Sequence, residues 1–236
     1  MLQLRFDTSA PRILLLGAHC DDIEIGCGGT LRRLIDRYPQ AACHWVTFSA
    51  DGERADETRA AAARLLAGAA ASMVQVESFR TSYFPHAGPA LKDSVESLKS
   101  FRPDVVLTHC RHDLHQDHHA IHELTWNTFR DHLILEYEIP KFDGDLATPN
   151  VYVPLTRAEL TRKCDILMEC FPSQQSRQWF TRATRSRHWP ACAESSAMRP
   201  RDMQRASTAE NAVSFLDPTA HKNSCPTLPS HRSTHC

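Results

Sequence analysis

Nothing in the 236-residue sequence reads as a membrane anchor or a disulfide scaffold. No apolar run approaches the roughly 18 residues needed to cross a bilayer, so no transmembrane segment is expected. Met1-Leu2-Gln3-Leu4-Arg5-Phe6-Asp7 is too polar for the apolar core of a secretory leader. An excess of one charge is also lacking: 27 Lys and Arg face 28 Asp and Glu, a formal net charge of -1. That balance argues against nucleic acid or an anionic membrane surface as partner. Nine cysteines are present, but an odd number at irregular spacing makes a poor disulfide framework. Cys27, Cys43 and Cys110 lie in or beside apolar runs and read as small buried hydrophobes. A reducing, cytoplasmic setting follows as the expectation. Phosphate-binding signatures are lacking too, with neither Gly-x-Gly-x-x-Gly nor Gly-Lys-Ser/Thr. Gly26-x-Gly28-Gly29 sits just after Asp21 and Asp22, which would repel phosphate. These glycines are better read as close backbone approach and a tight strand-to-helix turn.

What the chain does contain is a regular alternation of apolar runs and helical stretches. Ile13 to Gly17 reads as a strand buried on both faces, and the chemistry-bearing residues follow at its carboxyl end. Leu31, Leu34, Ile35 and Tyr38 have helical spacing, closed by Pro39. Further strands are expected over 43–48, 73–76, 105–109, 134–139 and 151–153, with a turn at Phe142-Asp143-Gly144-Asp145. Helices are expected over 53–67, around Leu91, Val95 and Leu98, from Asp117 as cap to about Arg130, and over 157–170 with Thr156 as cap. The aromatic loop from Ser78 to Gly88, with Phe79, Arg80, Tyr83 and Phe84, either lines a substrate mouth or is anchored by its two phenylalanines. The fold expectation is one α/β domain with a mostly parallel, helix-flanked sheet. From about Thr181 to Cys236 the pattern fails, and a loosely attached or poorly ordered tail is expected.

Metal-ligating residue types gather in two places. His19 and Asp22 are three apart directly after a strand, beside Asp21. Residues 109–122 hold six histidines in fourteen positions, after another strand of the same sheet. If both strand ends share one edge, His19, Asp22 and one of His115 or His118 converge as a nitrogen and oxygen site with a free position for water. His132, His188, His221, His231 and His235 have no such company. Cys20 and Cys27 lack a partner pair and are rejected as thiolate ligands.

Ala18-His19-Cys20-Asp21-Asp22-Ile23-Glu24-Ile25-Gly26-Cys27-Gly28-Gly29 resembles the Ala-His-Pro-Asp-Asp-x-Glu-x-Gly-x-Gly-Gly signature of the LmbE-like, or PIG-L-like, zinc deacetylases. His115-Gln116-Asp117-His118-His119-Ala120 is similar to that family's second motif, His-x-Asp-His-x-Ala. The likeness extends over residues 10 to 180, including Ser173-Gln174 and Trp179-Phe180, which sets a deacetylase domain at 1–180 and the tail at 181–236. It implies a Rossmann-like fold and hydrolysis of the N-acetyl group of an N-acetylglucosamine-type sugar or glycoconjugate. It further implies Zn2+ held by His19, Asp22 and His118, with Asp21 as general base. His115, protonated, would stabilise the oxyanion and assist the leaving amine, and Asp117 would orient His115 and raise its pKa. The implied partner is a small molecule, with a homo-oligomer left open. Cys20 departs from the usual proline, and the segment after Thr181 lacks the family's usual ending. A metal-retaining relative that only binds a sugar or partner, and a zinc hydrolase of another amide or an ester, are the competing readings.

Overall fold

Ile13 and Leu15 face one side of strand β1 (Arg12–His19) and Leu14 and Leu16 the other, because side chains alternate along a strand. All four are fully buried, so the strand needs cover on both faces. The computed structural model, which describes residues 5–177, 180 and 194–197, supplies that cover. One face is closed by helices α1 (Asp22–Arg37), α2 (Gly52–Leu65) and α5 (Arg157–Cys170), whose Leu31, Leu34, Ala61, Leu65 and Ile166 pack with Ile13 and Leu15. The other is closed by α3 (Gly88–Ser97) and α4 (Gln116–Thr128), through Leu91, Val95 and Ile121 against Leu14 and Leu16.

Strands β2 (Ala42–Ser49), β3 (Ala71–Val76), β4 (Val105–His109) and β5 (Leu133–Tyr137) join β1 in a parallel array ordered β3-β2-β1-β4-β5. The chain is a single α/β domain of Rossmann-like form. Its strand order reverses between β1 and β4, and the crevice outside the carboxyl ends of those strands is where such sheets bind ligands. Two short strands, β6 (Tyr152–Val153) and β7 (Glu194–Ala197), extend the sheet past β5, which pairs antiparallel with β7. The expected tail therefore contributes four described residues to the sheet. The rest of it lies outside the described residues.

Two expectations are corrected. The first helix begins at Asp22 rather than after the glycines, so Gly26, Gly28 and Gly29 lie inside it and do not form a turn. Glycine costs a helix interior about 1 kcal/mol against alanine, and packing gives the reason for it here. A Cβ at position 26 would stand 2.1 Å from Cδ2 of the Tyr137 ring, and one at position 28 would stand 3.3 Å from Leu65. The second correction is the cap of α4. His115, not Asp117, is the N-cap, its Nδ1 accepting the Asp117 N–H at 3.2 Å. Helix α5 starts as expected, with Thr156 and Glu159 forming a reciprocal capping box.

Gly26→Ala should therefore lower stability by about 1–3 kcal/mol through overpacking. Urea denaturation measures this, and a loss below about 0.5 kcal/mol would mean that the Tyr137 ring yields to the methyl group.

Candidate metal centre

His19 ends β1, His109 ends the adjacent β4, and helices α1 and α4 start just beyond each. The parallel pairing of the two strands puts both polar segments at one sheet edge. Asp22 is drawn back toward β1 because its Oδ2 accepts the His19 backbone N–H at 2.7 Å. The result is a triangle of donors. His19 Nδ1 lies 3.1 Å from His118 Nε2 and 3.5 Å from Asp22 Oδ2, and His118 Nε2 lies 3.4 Å from Asp22 Oδ2. Tetrahedral zinc with bonds near 2.0–2.1 Å spaces its ligand atoms by about 3.3 Å. The donor set fits such an ion. Two overlapping donor groups, His19–His115–His118 and Asp22–His109–His118, each lie within 4.8 Å and share His118 with this triangle.

Each histidine of the triangle is aimed by a carboxylate on its far nitrogen. His118 Nδ1 donates to Asp113 Oδ2 at 2.9 Å, leaving Nε2 bare and pointed inward. His19 Nε2 donates to Asp117 Oδ2 at 3.0 Å. Histidines that bind metals are commonly fixed this way. With His118 Nε2 as acceptor, the contact between them is a hydrogen bond when His19 Nδ1 carries the hydrogen, which makes His19 an imidazolium. Burial opposes that charge, but Asp117 and Asp22 outweigh it and push His19 up to about 10. Burial likewise disfavours the Asp22 carboxylate, yet His118, His109 and His19 hold it well below the usual carboxylate range.

Asp21 is buried but outside the triangle, with Arg54 3.8 Å away. Burial and the neighbouring Asp22 push it up to about 6, against the pull of Arg54 and His19. His115 packs on the metal-facing histidines, 4.8 Å from the His19 ring and 4.5 Å from His118. Asp117 acts on it through its backbone rather than through its carboxylate. The Asp117 carboxylate serves His19 and the backbone N–H groups of Ser82 and Phe84, so it is the Asp117 N–H that orients His115. Burial, His118 and His19 lower the His115 pKa more than Asp117 raises it, and its Nδ1 accepts the Asp117 N–H.

Asp113 and His109 were not singled out in the sequence. His109 is fully buried, stacks on His118 at 4.0 Å and accepts the Ala18 N–H at 2.9 Å. The available signal was that a ligating histidine needs a carboxylate behind it, and Asp113 is five residues before His118. Cys20 is a buried thiol that accepts from Arg54 Nε at 2.8 Å, and burial pushes its pKa up, consistent with no ligand role. His132 sits edge-on to Phe129, and the four later histidines lie outside the described residues. A cleft of about 290 Å³ opens beside His19, lined also by Ser49, Asp51, Arg54, Phe79 and Arg80. In the aromatic loop Phe84 is fully buried as an anchor, while Phe79 and Arg80 line the cleft.

Residues 14–129 match the family described as PIG-L: GlcNAc-PI de-N-acetylase. Fold, motifs and donor cluster together support a metal-dependent hydrolase domain similar to the PIG-L, or LmbE-like, family. No curated protein matches the chain in sequence. Among solved structures, the pseudoaglycone deacetylase Dbv21 is similar at 18% identity and a TM-score of 0.57, over 79% of this chain and 93% of that one. A conserved protein of Thermus thermophilus is similar at 20% identity and 0.55, over 68% and 78%. The 4-carboxy-2-hydroxymuconate hydratase GalB of Pseudomonas putida is similar at 19% and 0.54, over 75% and 84%. At these identities the likeness is one of fold.

The proton on His19 stands where a metal would bind, so zinc uptake must release it. Since that proton is held up to about pH 10, zinc affinity should rise with pH between about 6 and 9, by about tenfold per unit for one proton released. Chelator competition across that range measures the slope. A flat profile would show that His19 is not a protonated ligand in waiting.

Proposed function

We propose that this protein is a zinc-dependent deacetylase that removes the N-acetyl group of an N-acetylglucosamine-type sugar or glycoconjugate, releasing acetate and a free amine. The observation that carries the proposal is the donor triangle of His19, Asp22 and His118, with Asp21 beside it and unligated. These three residues would hold the metal, and zinc, when bound, supplies Lewis acidity toward the amide carbonyl and a water of lowered pKa.

The remaining work belongs to side chains of this chain. Asp21, as carboxylate, accepts a proton from the attacking water and hands it to the departing amine as the C–N bond breaks. Its burial makes it a stronger base than an exposed carboxylate. His115 Nε2–H, neutral and fixed by the Asp117 N–H, donates to the carbonyl oxygen as charge develops there. Asp117 positions His19 from behind. The cleft beside His19 holds the sugar, with hydroxyl, carboxylate and guanidinium groups for its polar edge and Phe79 for its apolar face. The six described cysteines form no disulfide with one another, and the setting proposed for the enzyme is reducing and cytoplasmic. No described helix is long and apolar enough to cross a membrane.

Asp21→Asn should lower kcat by about 10²–10⁴-fold and leave zinc at one per chain. Acetate release from N-acetylglucosamine glycosides, with metal analysis of the same samples, measures both. Near-normal turnover in the variant would remove Asp21 as base. Zinc uptake without acetate release by the unaltered chain, but with cleavage of an ester or another amide, would reassign the substrate.

A further inference from the structure

Beyond β5 the chain forms a loop, residues 138–147, that closes on itself. Glu138 Oε1 accepts the Ala147 N–H at 2.6 Å, and Lys141 Nζ donates to Asp145 Oδ2. Gly144, at φ +63°, makes the reversal between them. The closed loop faces the segment that leads into α4. Lys141 Nζ lies 3.0 Å from Asp113 Oδ1, and Asp145 Oδ2 accepts the Leu114 N–H at 2.7 Å. Asp113 in turn accepts the His115 N–H at 2.8 Å through Oδ1 and holds His118 Nδ1 through Oδ2. Little solvent reaches these groups, with side-chain exposures of 12% for Lys141, 5% for Asp145 and 2% for Asp113.

We propose that Lys141 and Asp145 form a clasp that positions the metal-binding segment. Lys141 sets the Asp113 carboxylate behind His118, and Asp145 fixes the backbone that carries His115. The proposal rests on the metal centre proposed above and not on the identity of the substrate. Neither clasp residue touches the metal-facing atoms, so both are positioning residues. One ammonium group lies between two buried carboxylates. Without it, Asp113 and Asp145 repel each other, and the 113–115 segment is pushed away from the geometry that aims His118 and His115. Electrostatics and positioning then predict opposite signs. Deleting a positive charge near the site would by itself tighten binding of a dication, so weakened binding reports lost position.

The test is zinc affinity by chelator competition, on the full chain, for the wild type, Lys141→Met, Lys141→Arg, Asp145→Asn and the Lys141→Met/Asp145→Asn double variant. Lys141→Met should weaken zinc binding by about tenfold, the lower end of what carboxylates behind metal ligands contribute. Asp145→Asn should recover at least about threefold of that loss in the double variant, because it removes the repulsion and keeps an acceptor for the Leu114 N–H. Lys141→Arg should stay within about threefold of the wild type, since it retains the charge. Amide hydrogen exchange at Leu114 should quicken in Lys141→Met and slow again in the double variant. Zinc affinity in Lys141→Met equal to or tighter than wild type, or a loss that Asp145→Asn does not relieve, would overturn the clasp. A wild-type chain that takes up no zinc would overturn the metal centre itself, and the clasp with it.

Discussion

Asp22 is a carboxylate out of reach of water, and the site is arranged around compensating it. An isolated anion in such a place costs several kcal/mol or takes up a proton. Here three imidazoles, from His19, His109 and His118, stand within 3.5 Å of one of its oxygens. One of them carries the compensating positive charge: His19, hydrogen-bonded through both nitrogens. The charge that Asp22 requires can be a proton or a metal ion. In the first case the site is a closed hydrogen-bonded cluster, and in the second the same atoms, already spaced 3.1–3.5 Å apart, would serve as ligands.

That cluster depends on how closely α1 lies against the sheet. The helix carries Asp22 in its first turn, and one turn further on Gly26 rests against the Tyr137 ring. The Tyr137 hydroxyl donates to the Leu16 carbonyl at 2.6 Å, joining β5 to β1 beneath the site. A bulkier residue at 26 would lift the helix that delivers Asp21 and Asp22. The glycines of the motif therefore act on the chemistry through packing, at some cost in helix propensity. On the opposite side, Asp117 does the comparable task for the loop. Its carboxylate ties Ser82 and Phe84 to α4, and Ser82 is held at φ +67°. One side chain thus aims His19 and shapes the wall of the cleft.

Much of this arrangement could be read from residue order. The apolar runs marked the parallel strands, the Thr156-x-x-Glu159 box marked the start of α5, and the two histidine and aspartate clusters marked the metal centre. Readings that relied on local propensity failed at the three glycines inside α1, and at Gly26 and Gly28 tertiary contact outweighs the helix penalty. The cap of α4 failed for a related reason. Asp117 is a good capping residue in isolation, but here its carboxylate has stronger partners in His19 and the Ser82 N–H, and His115 takes the cap.

The sequence by itself determined which chemistry is present: a mostly parallel α/β sheet with imidazole and carboxylate groups at strand ends, because strand periodicity and ligand type are local properties. It could not determine which carboxylate serves which histidine. Asp117 and His19 are 98 residues apart, Lys141 and Asp113 are 28 apart, and no spacing rule pairs them. Only the tertiary structure decided that Asp117 stands behind His19, that Asp113 stands behind His118, and that the Asp117 N–H, not its carboxylate, meets His115. Hydrogen-bond partners and desolvation are set by which strand ends become neighbours in the folded sheet.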